Sequence, residues 1–159
     1  PNKNIEWILE VAKRHPQYNF YIAGKSSLKA YGTNYRGYDF PNVQFLGYIS
    51  DGEIKYLMRC CKAFIFPSFF EGYGNVILEA QVAGLPCLVS EAISNEVIIR
   101  NNVLKLFLEE KLWCDAIMSL KLTEENEKLV AKDSITNSEY DIKCEIEKLQ
   151  KLYIKLHNQ

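Results

Sequence analysis

Two glutamates and two glycines stand close together near the middle of the chain, in the stretch from Ala63 to Ser90. Glu71, Gly72 and Gly74 come directly before an apolar-periodic segment that contains Glu79. Glycines let a backbone approach a ligand closely, and the first amides of a helix are unpaired donors at the positive end of its dipole. The pattern is typical of a site for an anion such as a phosphate.

The two carboxylates indicate which kind of anion would fit the site. A site for phosphate alone does not suit them, because like charges repel. Glu71 and Glu79 fit an anion with hydroxyl groups on both sides, since an ionised carboxylate is a pure acceptor for hydroxyls. A nucleotide sugar has a ribose at one end of its diphosphate and a hexose at the other. The spacing fits equally well a loop glutamate and a surface glutamate without a ligand, because short glycine patterns are weak signals.

Short apolar runs on both sides of this turn must position it. Ala63–Phe66, closed by Pro67, and Leu85–Val89 have the composition of buried strands. Between them, apolar spacing predicts a helix over Asn75–Ala83, with Gly84 as its left-handed C-terminal cap. The central unit is therefore strand, loop, helix, strand.

The rest of the chain alternates in the same way. Strands are predicted over 19–23, 43–46 and 104–108, and helices over 4–14, 50–60, 94–99, 112–120, 123–132 and 140–156. Asn4 is the expected N-cap of the first helix, and Ser50 and Glu53 form a capping box. This alternation predicts an α/β fold with a doubly wound, mainly parallel sheet flanked by helices.

The composition limits the classes of function that fit the chain. The 159 residues suit one domain, and 19 basic against 20 acidic residues give no field that recruits nucleic acid. Five cysteines without a C-x-x-C pair predict reduced thiols in a cytosolic protein. No apolar stretch has the length of a membrane span, and no cluster has metal-ligand spacing, so neither a metal nor another cofactor is expected.

The central stretch matches a long signature. The pattern P-S-x-x-E-G-x-G-x-x-x-x-E-A-x-x-x-G-x-P runs from Pro67 to Pro86, with seven residues between the two glutamates. It resembles the donor-site signature of retaining glycosyltransferases of family 4, which have the GT-B fold, and most of all the branch that builds bacterial capsular and exopolysaccharides. The resemblance implies a Rossmann-like C-terminal half of a GT-B enzyme, with a sheet that lacks its first strand.

The resemblance also implies roles for individual residues. Glu79 would accept the ribose hydroxyls, Glu71 would orient the hydroxyls of the transferred sugar without acting as a nucleophile, and Lys3 would neutralise the departing diphosphate. Without the resemblance, Lys3 is an ordinary solvated lysine near a terminus. The remaining candidates implied by the resemblance are contacts to the donor at Gly72, Tyr73, Gly74, Asn75, Val76, Tyr48 and Ile49. Lys25 is a candidate because it directly follows the predicted strand over 19–23 and Gly24, at the edge of the sheet where open α/β folds bind ligands. For Tyr48 and Ile49, ordinary packing at a strand end fits equally well.

For the whole protein, the resemblance implies transfer of a sugar from a UDP- or GDP-linked donor to a glycan or lipid-linked acceptor. Residues 1–159 would be one nucleotide-sugar-binding domain of a two-domain enzyme, inactive without its N-terminal acceptor domain and ending in a helix over 139–157. The expected place is the cytoplasm, with peripheral contact at the inner face of the cell membrane. Lysines around the final helix suit such contact, but Glu145 and Glu147 dilute the charge and favour packing against a domain.

Two alternatives stay open from the sequence. One is a module or partner subunit that binds nucleotide sugars without turnover. The other is a doubly wound domain of the flavodoxin or receiver type, acting in redox chemistry or signalling, although neither of these explains the paired glutamates. The nucleobase, the sugar, the acceptor and the oligomeric state cannot be read from the chain.

Overall fold

The computed structural model describes residues 3–24, 40–121 and 141–157. The predicted alternation of strands and helices is confirmed there. The elements are α1 Ile5–Arg14, β1 Phe20–Ala23, β2 Val43–Gly47, α2 Asp51–Cys60, β3 Phe64–Phe66, α3 Asn75–Val82, β4 Cys87–Ser90, a 3-10 turn Asn95–Val97, β5 Val103–Leu106, α4 Glu110–Ser119 and α5 Ile142–His157. The helix predicted over 123–132 lies outside the described residues.

All strand pairs are parallel, and the described strands form two sheets. One sheet has the order β1-β2, and the other has the order β3-β4-β5. The register pairs Phe20 with Val43 in the first sheet and Ile65 with Leu88 in the second. Parallel strands joined through helices are the α/β arrangement that the alternation predicted.

Strand β4 lies at the centre of the larger sheet and faces two hydrophobic cores. Cys87 and Val89 belong to the core formed with α2 and α3, whereas Leu88 belongs to the core formed with α1 and α4. All four residues of β4 are buried, as expected for a strand covered by helices on both faces. The doubly wound architecture is confirmed.

The two sheets share the core beneath α1 and α4. Phe20 of β1 and Leu88 of β4 both belong to it, and Ile65 of β3 packs against it. Just before the two strands, the ammonium of Lys62 donates a hydrogen bond to the hydroxyl of Tyr18 at 3.2 Å. The segments that lead into β1 and β3 are thus in contact, yet among the described residues no strand of one sheet pairs with a strand of the other, so the sheet is broken between β1 and β3. The expectation that the sheet lacks its first strand stays a prediction.

Local capping signals were read correctly at two helix ends and wrongly at one. The Ser50–Glu53 capping box of α2 is present. Gly84 has φ 72°, and the amide of Leu85 donates to the Ala80 carbonyl at 3.0 Å, which closes α3 as a Schellman motif. Asn4 is the N-cap of α1, but its side chain makes no cap hydrogen bond, because its backbone is left-handed with φ 51°.

The predicted helix over 94–99 is reduced to the 3-10 turn Asn95–Val97. Helix α5 forms close to its predicted bounds, but none of its residues is buried. Its apolar residues, Ile146, Leu149 and Leu152 among them, are about half exposed, so the predicted packing of this helix against a domain is not found within the described part of the chain. No helix among the described residues is long and apolar enough to cross a membrane.

Candidate functional site

The site lies at the carboxyl end of β3, in the loop that leads to α3. Pro67 and Ser68 follow the strand directly and are buried. The Ser90 hydroxyl, at the end of β4, donates a hydrogen bond to the Ser68 carbonyl. The Ser68 hydroxyl donates in turn to the carbonyl of Phe70 at 3.0 Å. The start of the loop is therefore fixed to the sheet at the edge where open α/β folds bind ligands.

Gly74 sets the geometry of the turn into α3. It is the N-cap residue, with φ 76° and ψ 48°, a conformation that side chains other than glycine rarely adopt. A Cβ atom at this position would lie 3.0 Å from the Ile77 side chain and 3.3 Å from that of Glu71. Gly74 therefore allows Glu71 to lie against the start of the helix.

Gly72 differs from Gly74. A Cβ atom added at this position would meet nothing within 4 Å, and its φ lies outside the left-handed region. Nothing among the described residues therefore requires a glycine at position 72. Close approach of a ligand to this backbone would account for it.

The N-terminus of α3 offers free donors. Gly74 supplies no side-chain cap, and the first amide with a partner is that of Ile77, which donates to the Gly74 carbonyl at 2.8 Å. Within the described residues, the amides of Asn75 and Val76 have no acceptor. Glu79 is exposed one turn further along, on the same side of the helix as Asn75. The predicted combination of free amides and a carboxylate is present on one surface.

Lys3 and Glu71 form an ion pair, although 68 positions separate them in sequence. The lysine precedes α1, and the glutamate lies in the loop after β3. The Lys3 ammonium also lies 4.8 Å from the centre of the Phe66 ring, the last residue of β3. The structure therefore brings together the two side chains for which the family resemblance implied catalytic roles.

Tyr48 and Ile49 follow β2, in the other sheet. Tyr48 is 81% exposed and Ile49 is partly buried. No described hydrogen bond or ion pair joins them to the loop over residues 71–76, so the structure does not link them to Glu71. Lys25 lies outside the described residues.

The capping box of α2 comes directly after Tyr48 and Ile49. The Ser50 hydroxyl donates to the Glu53 carboxylate at 2.6 Å, and the Ser50 amide donates to it at 2.7 Å. Both hydrogen bonds lower the pKa of Glu53 below its usual value, and the bond from the Ser50 hydroxyl has the larger effect. Glu53 is therefore ionised and bonded at neutral pH, and its role here is to begin a helix.

Sequence reasoning missed Gln81, which holds the far end of α3. Its side chain is fully buried, and its amide nitrogen donates to the carbonyls of Ile77 at 3.2 Å and Val97 at 2.7 Å. Its amide oxygen accepts from the backbone of Ile99 at 2.9 Å and Arg100 at 3.1 Å. A polar residue in an otherwise apolar helix segment was the available signal.

The arrangement has a clear chemical capacity. One cation, free helix amides and two carboxylates lie around the loop after β3, which suits an anionic group flanked by hydroxyls. In the described part of the chain, no three His, Cys, Asp or Glu side chains are placed to hold a metal ion. The fold is a doubly wound α/β domain, and the candidate site lies at the carboxyl ends of its strands, where open α/β folds bind ligands.

Comparison with known proteins names the family. Residues 1–139 match the family described as "Glycosyl transferases group 1", and the chain belongs to it. The structure of TarM superposes with a TM-score of 0.70 at 21% identity, covering 96% of this chain and 33% of that one. The expected GT-B type of fold is thereby confirmed, and membership of a glycosyltransferase family is established.

Two relatives in sequence show the range of the family. The putative glycosyltransferase EpsF of Bacillus subtilis is 30% identical over 115 residues, which are 70% of this chain and 29% of that protein. An Escherichia coli protein is 29% identical over 110 residues, 65% of this chain and 28% of its own length, and is named UDP-Gal:alpha-D-GlcNAc-diphosphoundecaprenol alpha-1,3-galactosyltransferase. The chain thus spans less than a third of either relative.

Family membership decides between some of the alternatives. The matched family is one of glycosyltransferases, so the flavodoxin- or receiver-type alternative is set aside. The roles of Lys3, Glu71, Glu79 and the loop over 72–76 stay predictions, as does the alternative of a module that binds a nucleotide sugar without turnover.

Proposed function

We propose that this chain is the donor-binding domain of a retaining glycosyltransferase. The observation that carries the proposal is the meeting of Lys3 and Glu71 beside the free N-terminal amides of α3. The family, named for sugar transfer, supports it. The related galactosyltransferase, whose name specifies UDP-Gal, supports a nucleoside-diphosphate sugar as the donor and a lipid-linked acceptor in polysaccharide synthesis.

The charges suggest how the site would act. The amides of Asn75 and Val76 face the diphosphate, and Glu79 accepts hydrogen bonds from the ribose hydroxyls. When the bond from the anomeric carbon to the phosphate oxygen breaks, negative charge grows on the diphosphate, and Lys3 stabilises it. Glu71 orients the sugar hydroxyls, and the departing phosphate receives the proton of the acceptor hydroxyl. No metal is required in this scheme.

The remaining parts of the proposal concern the whole protein. The acceptor is bound by a separate N-terminal domain, which closes over the donor and excludes water. Sugar transfer takes place in the cytoplasm, at the inner face of the membrane where lipid-linked sugars of capsular or similar polysaccharides are assembled. The 159-residue chain alone binds the donor and transfers nothing.

Calorimetric titration of the purified chain with UDP, GDP and ADP tests this proposal. We expect one nucleotide to bind, and Glu79→Ala to weaken its binding by about 1–3 kcal/mol, the cost of losing a charged acceptor for hydroxyl donors. That loss is roughly a 5- to 150-fold rise in Kd.

Glu10→Ala is the matched control, because Glu10 is an exposed glutamate of α1 on a different element. Equal losses from both substitutions would place the ribose elsewhere. If none of the three nucleotides binds, the proposed donor site is wrong.

A further inference from the structure

The ion pair of Lys3 and Glu71 conflicts with the roles that the proposed function gives to these residues. With the donor bound, Lys3 must face the diphosphate and Glu71 the sugar hydroxyls. In the structure each neutralises the other, with 45% of the lysine side chain and 21% of the glutamate side chain exposed. The ligand must therefore open this pair in order to use either group.

The exposure of the pair makes it easy to open. Ion pairs that reach solvent are weak, because water and salt compete for both charges. A diphosphate carries more negative charge than one carboxylate, so it can displace Glu71 from Lys3. The displaced carboxylate is then left near the phosphates, where it is repelled unless hydroxyl donors satisfy it.

The nucleotide sugar and the nucleoside diphosphate product differ in the partners that they offer to Lys3 and Glu71. A nucleotide sugar gives both separated charges a partner, since its phosphates bind Lys3 and its sugar hydroxyls donate to Glu71. Transfer breaks the bond from the anomeric carbon to the phosphate oxygen and forms one to the acceptor oxygen, while the acceptor proton passes to the phosphate. The nucleoside diphosphate that remains offers nothing to Glu71.

We infer that Glu71 competes with the nucleoside diphosphate product for Lys3 and so favours the release of spent nucleotide over that of intact donor. The inference rests on the proposed function. It makes Glu71 a specificity-determining residue that distinguishes substrate from product by whether a sugar is attached. The Phe66 ring beneath Lys3 holds the ammonium near both of its partners.

A double-mutant cycle tests the competition. Kd is measured by calorimetry for UDP, GDP and ADP, and for UDP-glucose, GDP-mannose and ADP-glucose. The proteins are the starting chain, Glu71→Gln, Lys3→Met and the double variant. For the nucleotide that binds, Glu71→Gln is expected to tighten the nucleoside diphosphate about two- to fivefold, the range of a partly exposed ion pair. It is not expected to tighten the sugar conjugate.

Measuring the effect of Glu71→Gln in the Lys3→Met variant separates competition for Lys3 from simple repulsion of the phosphates by Glu71. If Glu71 acts by occupying Lys3, Glu71→Gln leaves the Kd of the nucleoside diphosphate unchanged once Lys3 is Met. An equal tightening in both backgrounds would mean through-space repulsion, and weaker binding by Glu71→Gln would mean a direct contact. Either result overturns the inference while leaving the donor site intact, whereas no binding by the starting chain overturns the proposed function itself.

Glu91→Gln serves as the charge-matched control. Glu91 directly follows β4, at the same end of the sheet, and its partner is Lys105 at 3.7 Å rather than Lys3. Its substitution is expected to leave the ratio of the two Kd values unchanged. Circular dichroism and thermal unfolding of each variant confirm that the fold is kept.

Discussion

At the scale of single residues, the two glycines of the loop have separate jobs. Gly74 is required by the folded chain, since it is left-handed and a Cβ atom would press on Ile77. Gly72 meets no such restriction within the described part of the chain, so close approach of a ligand is the reason that we propose for it. The sequence pattern could place both glycines in a turn before a helix, but it could not tell these two reasons apart.

Paired substitutions distinguish them. Gly74→Ala is expected to lower the free energy of unfolding by about 1–3 kcal/mol, because alanine must adopt a left-handed backbone against Ile77. Gly72→Ala is expected to keep or slightly raise the free energy of unfolding, yet to weaken nucleotide binding. Urea unfolding and calorimetric titration of both variants measure the two effects. Normal binding by Gly72→Ala would show that no ligand approaches there.

The meeting of Lys3 and Glu71 was predictable only in part. The family resemblance implied a role for both residues at one donor, but no local pattern can say that two side chains 68 positions apart pair with each other in the free protein. The predicted donor contact of Lys25 stays a prediction, since this residue lies outside the described residues. Contacts between distant segments depend on packing, which periodicity does not encode.

At the scale of elements, periodicity and capping residues predicted the helices and strands well. The capping box of α2 and the left-handed Gly84 after α3 were read from residue type alone. Two features depended on tertiary context. Asn4 does not cap through its side chain, and Gln81 uses all of its hydrogen-bonding capacity inside the core.

Substitution of Gln81 measures how α3 is held. Gln81→Leu keeps much of the volume but leaves the Val97 carbonyl and two backbone amides without partners. We expect it to lower the free energy of unfolding by about 2–4 kcal/mol, since buried polar groups without hydrogen bonds are costly. Urea unfolding checks this, with Gln44→Leu on the exposed side of β2 as the control. Similar small losses in both variants would contradict the role of Gln81.

At the scale of the whole molecule, α1 and α4 hold the two sheets together. Trp113 of α4 is fully buried in the core that both sheets share, and its ring meets that of Trp7 edge to face at 6.5 Å. Its indole nitrogen donates to the Phe107 carbonyl at 2.8 Å. The sequence predicted the doubly wound class, because strands alternate with helices. The break in the sheet depends on which strands pair, and residue spacing alone does not fix pairing.

Trp113→Ala tests whether the two sheets unfold together. We expect it to lower the free energy of unfolding by about 3–5 kcal/mol, the usual cost of deleting a buried aromatic side chain. Unfolding in urea, measured by circular dichroism, should show a single transition in which all helices and strands around the shared core unfold together. Leu112→Ala, at a partly exposed position next to it, should cost far less. A variant that loses its structure in two separate steps would show that the sheets are independent units.

Helix α5 has a different relation to the fold from the other helices. None of its 16 residues is buried within the described part of the chain, and its hydrogen bonds include the local pair Lys148–Glu145. Isolated helices of about this length are marginal in water, because nucleation is costly and each bond adds little. In the free chain, the amides of α5 therefore exchange with solvent by local fraying, whereas those of α3 and α4 become accessible only when the core opens.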